Sequence, residues 1–398
     1  MQYDFETVTP RYNMGSSKWN AVQAIYPEMP ADIVPFSVAD MEFPTAPEIA
    51  QGLKHFIDTS VLGYANATDS FKEAVCHWMK VRHNWDAKPE WILPSHGCVD
   101  AFYEAIQCFS KEGDGVLLLT PVYYPMYNAI KVNNRKLVDC PLVPNGKTYD
   151  INWADFEAKI SDENTKLFLM CSPHNPCGRI WKKEELERIA ELCQRHNVLV
   201  IDDEIHNDLI MPGYTHTVYA TISPYAEQHC VVLTAPSKTF NLAGLQTSSV
   251  FIPSDELREQ FLAHMKTHSG NPKCNILGYE ACRIAYSQCG DWLDACIEVI
   301  NRNKELVTSF LAEHFPQIKV CEMQATYLLW MDWNGLGLPY KELERINHYE
   351  AKLFFDEGYI FGAQGEGFER WNLACPTRYI QQALERMKET YAKYVTVQ

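Results

Sequence analysis

The chain has 398 residues, more than one hydrophobic core usually serves, so two domains are expected. Its formal net charge of −16, from 35 basic and 51 acidic residues, disfavours nucleic acid and anionic membrane surfaces as partners. No apolar stretch approaches the roughly 20 residues of a membrane span, the start MQYDFETVTPRYNMG lacks a signal-peptide pattern, and the 14 cysteines form no C-x-x-C pair, so the chain reads as cytoplasmic with free thiols.

In chain order, SHGCVDAFYEAI (95–106) reads as a Gly turn opening a helix, with Phe102, Ala105, Ile106 and Phe109 on one face. Four short apolar runs then end in polar loops. Val116–Leu119 runs into TPVYYP, Leu167–Met170 into CSPHNPCG, Val198–Ile201 into DDEIH, and Val231–Leu233 into TAPSK. Continuous apolar runs suit strands buried on both faces. Between two of them, KKEELERIAELCQRH (182–196) sets Leu186, Ile189, Ala190 and Cys193 on one stripe, the pattern of an amphipathic crossover helix. Strand–helix–strand alternation predicts an α/β fold with a mixed, mostly parallel sheet, which gathers the four loops at one edge. From about residue 280 one long helical stretch is expected to reach residue 315, with Cys282, Cys289 and Cys296 on its core face. TYLLWMDW and YIFGAQGEGFERWNLACP follow as short strands of a smaller α+β domain. The expected division is a large domain over 46–284 and a small one over 1–45 and 285–398.

The gathered loops carry Tyr123, Asn175, Asp203, His206, Ser237 and Lys238. A lysine set directly after a buried strand, in LTAPSKTFNLAGLQ, is poorly placed to be an ordinary solvated side chain. The helix opened by Gly97 offers free N–H groups to an anion. One aromatic ring, one carboxylate, one lysine and one phosphate seat fit pyridoxal 5'-phosphate, which needs a lysine for its covalent link and an acid for its pyridine nitrogen. The Asp202-Asp203-Glu204-His206 run also holds metal-type ligands. Successive side chains at a strand end diverge, so no metal is expected there.

SPHNPCG, DDEIH and APSKTFNLAG, in this order, resemble the fold-type I pyridoxal-phosphate enzymes of the aminotransferase superfamily. Together with GSSKWN, SVADMEFP, GYANATDSF, TPVYYP and FDEGYIFG they look like its C–S lyase branch, the MalY/PatB cystathionine β-lyases and above all the cystalysins. The likeness covers nearly the whole chain. It implies a β-elimination that releases a thiol, pyruvate and ammonia from cystathionine or a cysteine-like amino acid. Lys238 would anchor the cofactor and move the Cα proton. Asp203 would bond the pyridine nitrogen, Asn175 the phenolic oxygen, and Tyr123 would stack on the ring. Gly97, Cys98 and Val99 would give backbone N–H groups to the phosphate, with Ser237 beside them and His206 near the ring. Tyr64 would reach the phosphate of a neighbouring subunit in a homodimer with shared sites. Arg370, with Arg378 as the nearby competitor, would clamp the substrate α-carboxylate, and Ala39 would lie against the substrate. Tyr123 or Tyr124 would protonate the leaving sulfur. Aminotransferases commonly carry Tyr where this chain has His206, and many carry Arg where it has Gln246. An aminotransferase with the same site, and a non-catalytic binding protein on the same fold, are the rival readings.

Overall fold

The computed structural model describes residues 3–27, 30, 33–268, 270 and 273–395. In chain order the strands of the first part are β1 Ile92–Ser95, β2 Gly115–Thr120, β3 Lys136–Pro141, the short pair β4 Val143–Pro144 and β5 Tyr149–Asp150, β6 Thr165–Cys171, β7 Leu199–Asp203, β8 Cys230–Thr234 and β9 Ser248–Phe251. All but β4 and β5 join one sheet in the order β1-β9-β8-β7-β6-β2-β3. Strands β3, β2, β6, β7 and β8 run parallel, and β9 is antiparallel to both β8 and β1.

The apolar runs form these strands because both faces of the sheet are covered. Leu117, Leu119, Phe168, Met170, Val200 and Val232 face one core. Val116, Leu118, Leu167, Leu169, Ile201, Val231 and Leu233 face the other. The helix Lys183–His196 buries Leu186, Ile189, Ala190, Leu192 and Cys193 in the first core. The helix Cys98–Phe109 buries Ala101, Phe102, Ala105 and Ile106 in the second. Each fully buried Leu or Ile contributes about 1.5–3 kcal/mol over leaving it in water. With β2, β6, β7 and β8 parallel and adjacent, their carboxyl ends share one edge, as the apolar runs imply.

A second sheet of β10 Lys319–Val320, β11 Leu328–Asp332, β12 Asp356–Glu357 and β13 Phe368–Asn372 is antiparallel throughout, in the order β10-β11-β13-β12. The N-terminal segment is stitched to its neighbourhood. The Phe36 N–H donates to Phe354 O at 2.9 Å, Asn372 N–H to Phe36 O at 2.9 Å, and Glu42 N–H to Ala374 O at 2.9 Å.

Two expectations need correction. The stretch from residue 280 is not one helix: Ile276–Gln288 ends at Cys289 (φ −107°, ψ 21°), and Gly290–His314 starts anew. Arg82 Nη2 donates to Gly290 O at 3.0 Å, and a Cβ on Gly290 would come within 2.9 Å of that nitrogen. The guanidinium thus occupies the space a side chain would need. Cys282, Cys289 and Cys296 are all buried, but across a break rather than along one helix. Within YIFGAQGEGFERWNL only Phe368–Asn372 is a strand, since Gly358–Phe361 and Ala363–Gly365 are single helical turns. Gly358 and Gly365 pack backbone to backbone there, too closely for a pleated strand with side chains. Among the described residues no helix is long and apolar enough to cross a membrane.

Candidate active site

The chemistry-bearing side chains sit at or just beyond the carboxyl ends of four parallel strands. Tyr123 follows β2 and precedes the helix Tyr124–Val132. Asn175 follows β6, and Asp203 is the last residue of β7. Lys238 lies in the short helix Pro236–Thr239, which begins just past the end of β8 at Thr234. The pleat separates the two aspartates. Asp202 is buried beside Glu204, whereas Asp203 is close enough to Lys238 and Cys98 for each to shift its titration.

The Lys238 ammonium donates to Ala39 O at 2.7 Å, and the same carbonyl accepts the Tyr327 hydroxyl at 2.8 Å. Burial pulls the Lys238 amine down to about 8; the Arg370 charge acts the same way, while Asp40 and Asp203 oppose it. Burial pushes the Asp203 carboxyl up to about 7, against the Ile205 N–H, the Lys238 charge and the Cys98 thiol, all of which favour its ionised form. Burial also raises the Cys98 thiol and the Tyr123 phenol, and holds His206 neutral, well below the usual imidazole range. His206 lies edge-on to Tyr327 with ring centres 6.3 Å apart, and its Nδ1 has no partner among the described residues.

Arg370 is buried on β13. Its Nη1 donates to Asn175 Oδ1 at 2.8 Å, its Nε to Asp356 Oδ2 at 3.2 Å, and its guanidinium lies 4.5 Å over the Phe361 ring. The competitor Arg378 instead pairs with Glu6 at 3.1 Å on the surface. Ala39 belongs to a strap whose flanking carbonyls, Val38 O and Asp40 O, each accept Asn372 Nδ2 at 2.7 Å. The GSSKWN and SVADMEFP motifs meet at this strap: buried Lys18 donates to Asp40 O at 3.1 Å and to Glu42 at 2.9 Å, and Trp19 Nε1 donates to Glu42 at 3.1 Å.

These residues fit pyridoxal phosphate. Gly97 caps the helix Cys98–Phe109, and a Cβ built on it would meet no atom within 4 Å, leaving open space above a helix N-terminus for a phosphate. Cys98 and Val99 are the first residues of that helix, where N–H groups have no intrahelical acceptor. Ser237 is buried one residue before Lys238. A cationic ring nitrogen is what a buried carboxylate such as Asp203 needs to stay ionised. Tyr124 is half-exposed, 5.3 Å from Tyr123 between ring centres. Gln246 is exposed, and Tyr64 is fully exposed at 107 %.

Glu204, which the DDEIH motif brings beside this site, is committed elsewhere: it accepts from His216 at 3.0 Å and from the Tyr219 N–H at 3.1 Å. Asp356, Asn372 and Tyr327 are the polar residues that sequence reasoning missed. Asp356 lies in the FDEGYIFG motif, but only the pairing of β12 with β13 sets it opposite Arg370.

The Aminotransferase class I and II family profile matches residues 31–387. The chain belongs to this family. It is 37% identical over 385 residues to the cystathionine beta-lyase PatB of Bacillus subtilis (strain 168), covering 97% of this chain and 99% of that one. It is 30% identical to Protein MalY of Escherichia coli (strain K12), covering 96% and 97%. The crystal structure of cystalysin from Treponema denticola, which contains a pyridoxal 5'-phosphate cofactor, superposes with a TM-score of 0.96 at 44% identity, covering 99% of this chain and 100% of that chain. The architecture is therefore that of the fold-type I family members, with a mixed and mostly parallel sheet.

Proposed function

We propose that the chain is a pyridoxal-phosphate-dependent carbon–sulfur β-lyase that releases a thiol, pyruvate and ammonia from a sulfur amino acid. Bound pyridoxal phosphate supplies an electron sink for the charge left at Cα when its proton is removed. Lys238 anchors the cofactor and takes the Cα proton. Asp203 keeps the ring nitrogen protonated, Asn175 bonds the phenolic oxygen, and Tyr123 covers the ring face. Gly97, Cys98, Val99 and Ser237 hold the phosphate. Arg370 holds the α-carboxylate against the strap at Ala39, and Tyr123 or Tyr124 gives a proton to the departing sulfur. The aminoacrylate left behind hydrolyses to pyruvate and ammonia. Cystathionine and cysteine-type amino acids are the proposed substrates.

The observation that carries this reading is the convergence of a lysine just past β8, a buried aspartate at the end of β7 and a buried arginine on β13, with Lys238 bonded to Ala39 O at 2.7 Å and Arg370 to Asn175 at 2.8 Å. We further propose a homodimer in which Tyr64 completes the neighbouring site. The exposed run of Ile57 (49 %), Val61 (86 %), Leu62 (56 %) and Tyr64 (107 %) supports it, because that much apolar surface suits an interface. The division into domains over 46–284 and over 1–45 with 285–398 is part of the same proposal, supported by the N-terminal segment's bonds to residues 354–374. Borohydride reduction of the yellow protein followed by peptide mapping tests the site. The label is expected on Lys238, with homocysteine released from L-cystathionine by the unreduced enzyme. A label on another lysine overturns the assignment.

A further inference from the structure

Arg370 is not free to turn. Asp356 on β12 stands directly opposite it across the β12–β13 pair. The Asp356 Oδ2 accepts Arg370 Nε at 3.2 Å and Nη2 in a closer bond. The same oxygen accepts the Val38 backbone N–H at 2.9 Å. Arg370 Nη1 is bonded to Asn175. A guanidinium carries five N–H donors, one on Nε and two on each Nη. The three bonds use the Nε proton and one from each Nη, so one proton on each Nη remains for a ligand.

Val38 carries the constraint into the rest of the site. Its φ is +55°, a left-handed conformation that is strained for a β-branched residue. Such a residue keeps that conformation only when its neighbours hold it there. Here the holders are Asp356, on the Val38 N–H, and Asn372, on the carbonyls that flank Ala39. The Ala39 carbonyl in turn receives Lys238 and Tyr327.

We infer that Asp356 is a positioning residue of the substrate site. It fixes the Arg370 plane so that an α-carboxylate is taken by one N–H from each Nη, and through Val38 it sets the strap that faces Lys238. The inference rests on the reading of Arg370 as the carboxylate-binding group. It makes Asp356 a determinant of selectivity for α-amino acids over amines of the same side chain. Two effects oppose each other when Asp356 is removed. The guanidinium loses its orientation, and it also loses a neighbouring negative charge that weakens its pull on an anion. Alignment decides the outcome, because a bidentate site depends on placement to within about 1 Å.

The experiment uses holoenzyme and a matched pair of ligands without a β-leaving group, L-methionine and 3-(methylthio)propylamine, titrated by calorimetry. Asp356→Ala is expected to weaken L-methionine by about tenfold or more and to leave the amine within about twofold. Asp356→Asn, which keeps an oxygen acceptor but no charge, is expected between wild type and Asp356→Ala. With L-cystathionine, KM should rise by a similar factor while kcat changes less. L-Methionine bound equally or more tightly by both variants overturns the inference, because charge would then outweigh alignment. Equal weakening of both ligands also overturns it, since that is the mark of a merely structural residue. If Asp356→Ala does not fold, Asp356→Asn carries the test on the same two ligands. Arg370→Ala separates the levels: if it leaves L-methionine binding unchanged, the reading of Arg370 fails, and if it weakens binding while the Asp356 variants do not, only the inference on Asp356 fails.

Discussion

The Lys238 amine titrates near 8 because burial disfavours its charged form and Arg370 adds to that effect. This makes the cofactor-free protein unusually quick to capture an aldehyde at neutral pH. At pH 7 roughly a tenth of an amine titrating near 8 is unprotonated, against about one part in 3,000 for an ordinary lysine, a ratio of about 300. Stopped-flow absorbance of cofactor-free protein mixed with pyridoxal phosphate, from pH 6 to 10, measures the consequence. The capture rate should rise about tenfold per pH unit at first and level off, with its midpoint near 8. Arg370→Gln should move the midpoint upward, because it removes the cation that helps depress it. A rate still climbing tenfold per unit above pH 9 would show an ordinary lysine and refute the argument.

Asp203 gives a stability prediction of definite sign. Its carboxyl titrates near 7 in the folded chain and near 3.8 in its ordinary state. Between those values the folded state holds a proton that the unfolded state has lost, so the cofactor-free protein loses stability as pH rises through this window. Relative to Asp203→Asn, urea unfolding should show wild type losing about 2–3 kcal/mol between pH 5 and 7, and equal slopes for the two proteins would contradict the assignment. Gly358→Ala puts a Cβ 2.2 Å from Gly365 O and 2.6 Å from Phe368 Cβ, so thermal unfolding should show a loss of about 1–3 kcal/mol. An unchanged Tm would mean that the two turns are not packed as described. For the proposed dimer, subunit exchange between inactive Tyr64→Ala and Lys238→Ala proteins should restore one intact site in two, and no recovery after proven exchange counts against sharing.

The sheet was legible because burial on both faces leaves an unbroken apolar run, and the runs at 116–119, 167–170, 198–201 and 231–233 lie within β2, β6, β7 and β8 or overlap them. Residues at the ends of parallel strands share an edge whatever their separation in sequence, so Lys238, Asp203 and Asn175 could be grouped in advance. The antiparallel sheet was less legible. Its strands β10 and β12 are two residues long, too short for alternation to register. Asp356 was invisible for that reason: its meaning comes from the register that sets it opposite Arg370. The break at Cys289 was missed because heptad spacing continues across it, while the contact made beside it, Arg82 with Gly290, spans 208 residues. Val38 and Tyr327 look like core residues in sequence, and only the strap between them gives them a polar role.

The central claim is that charge developed at Cα is used to expel sulfur rather than to move an amino group. The direct test is pyruvate formation from L-cystathionine with no keto acid added, run beside L-alanine with 2-oxoglutarate. Pyruvate, ammonia and homocysteine should appear together in equal amounts from cystathionine, with alanine turning over far more slowly. Pyruvate that forms only when a keto acid is supplied, or faster turnover of alanine, would contradict the lyase account and leave an aminotransferase in its place.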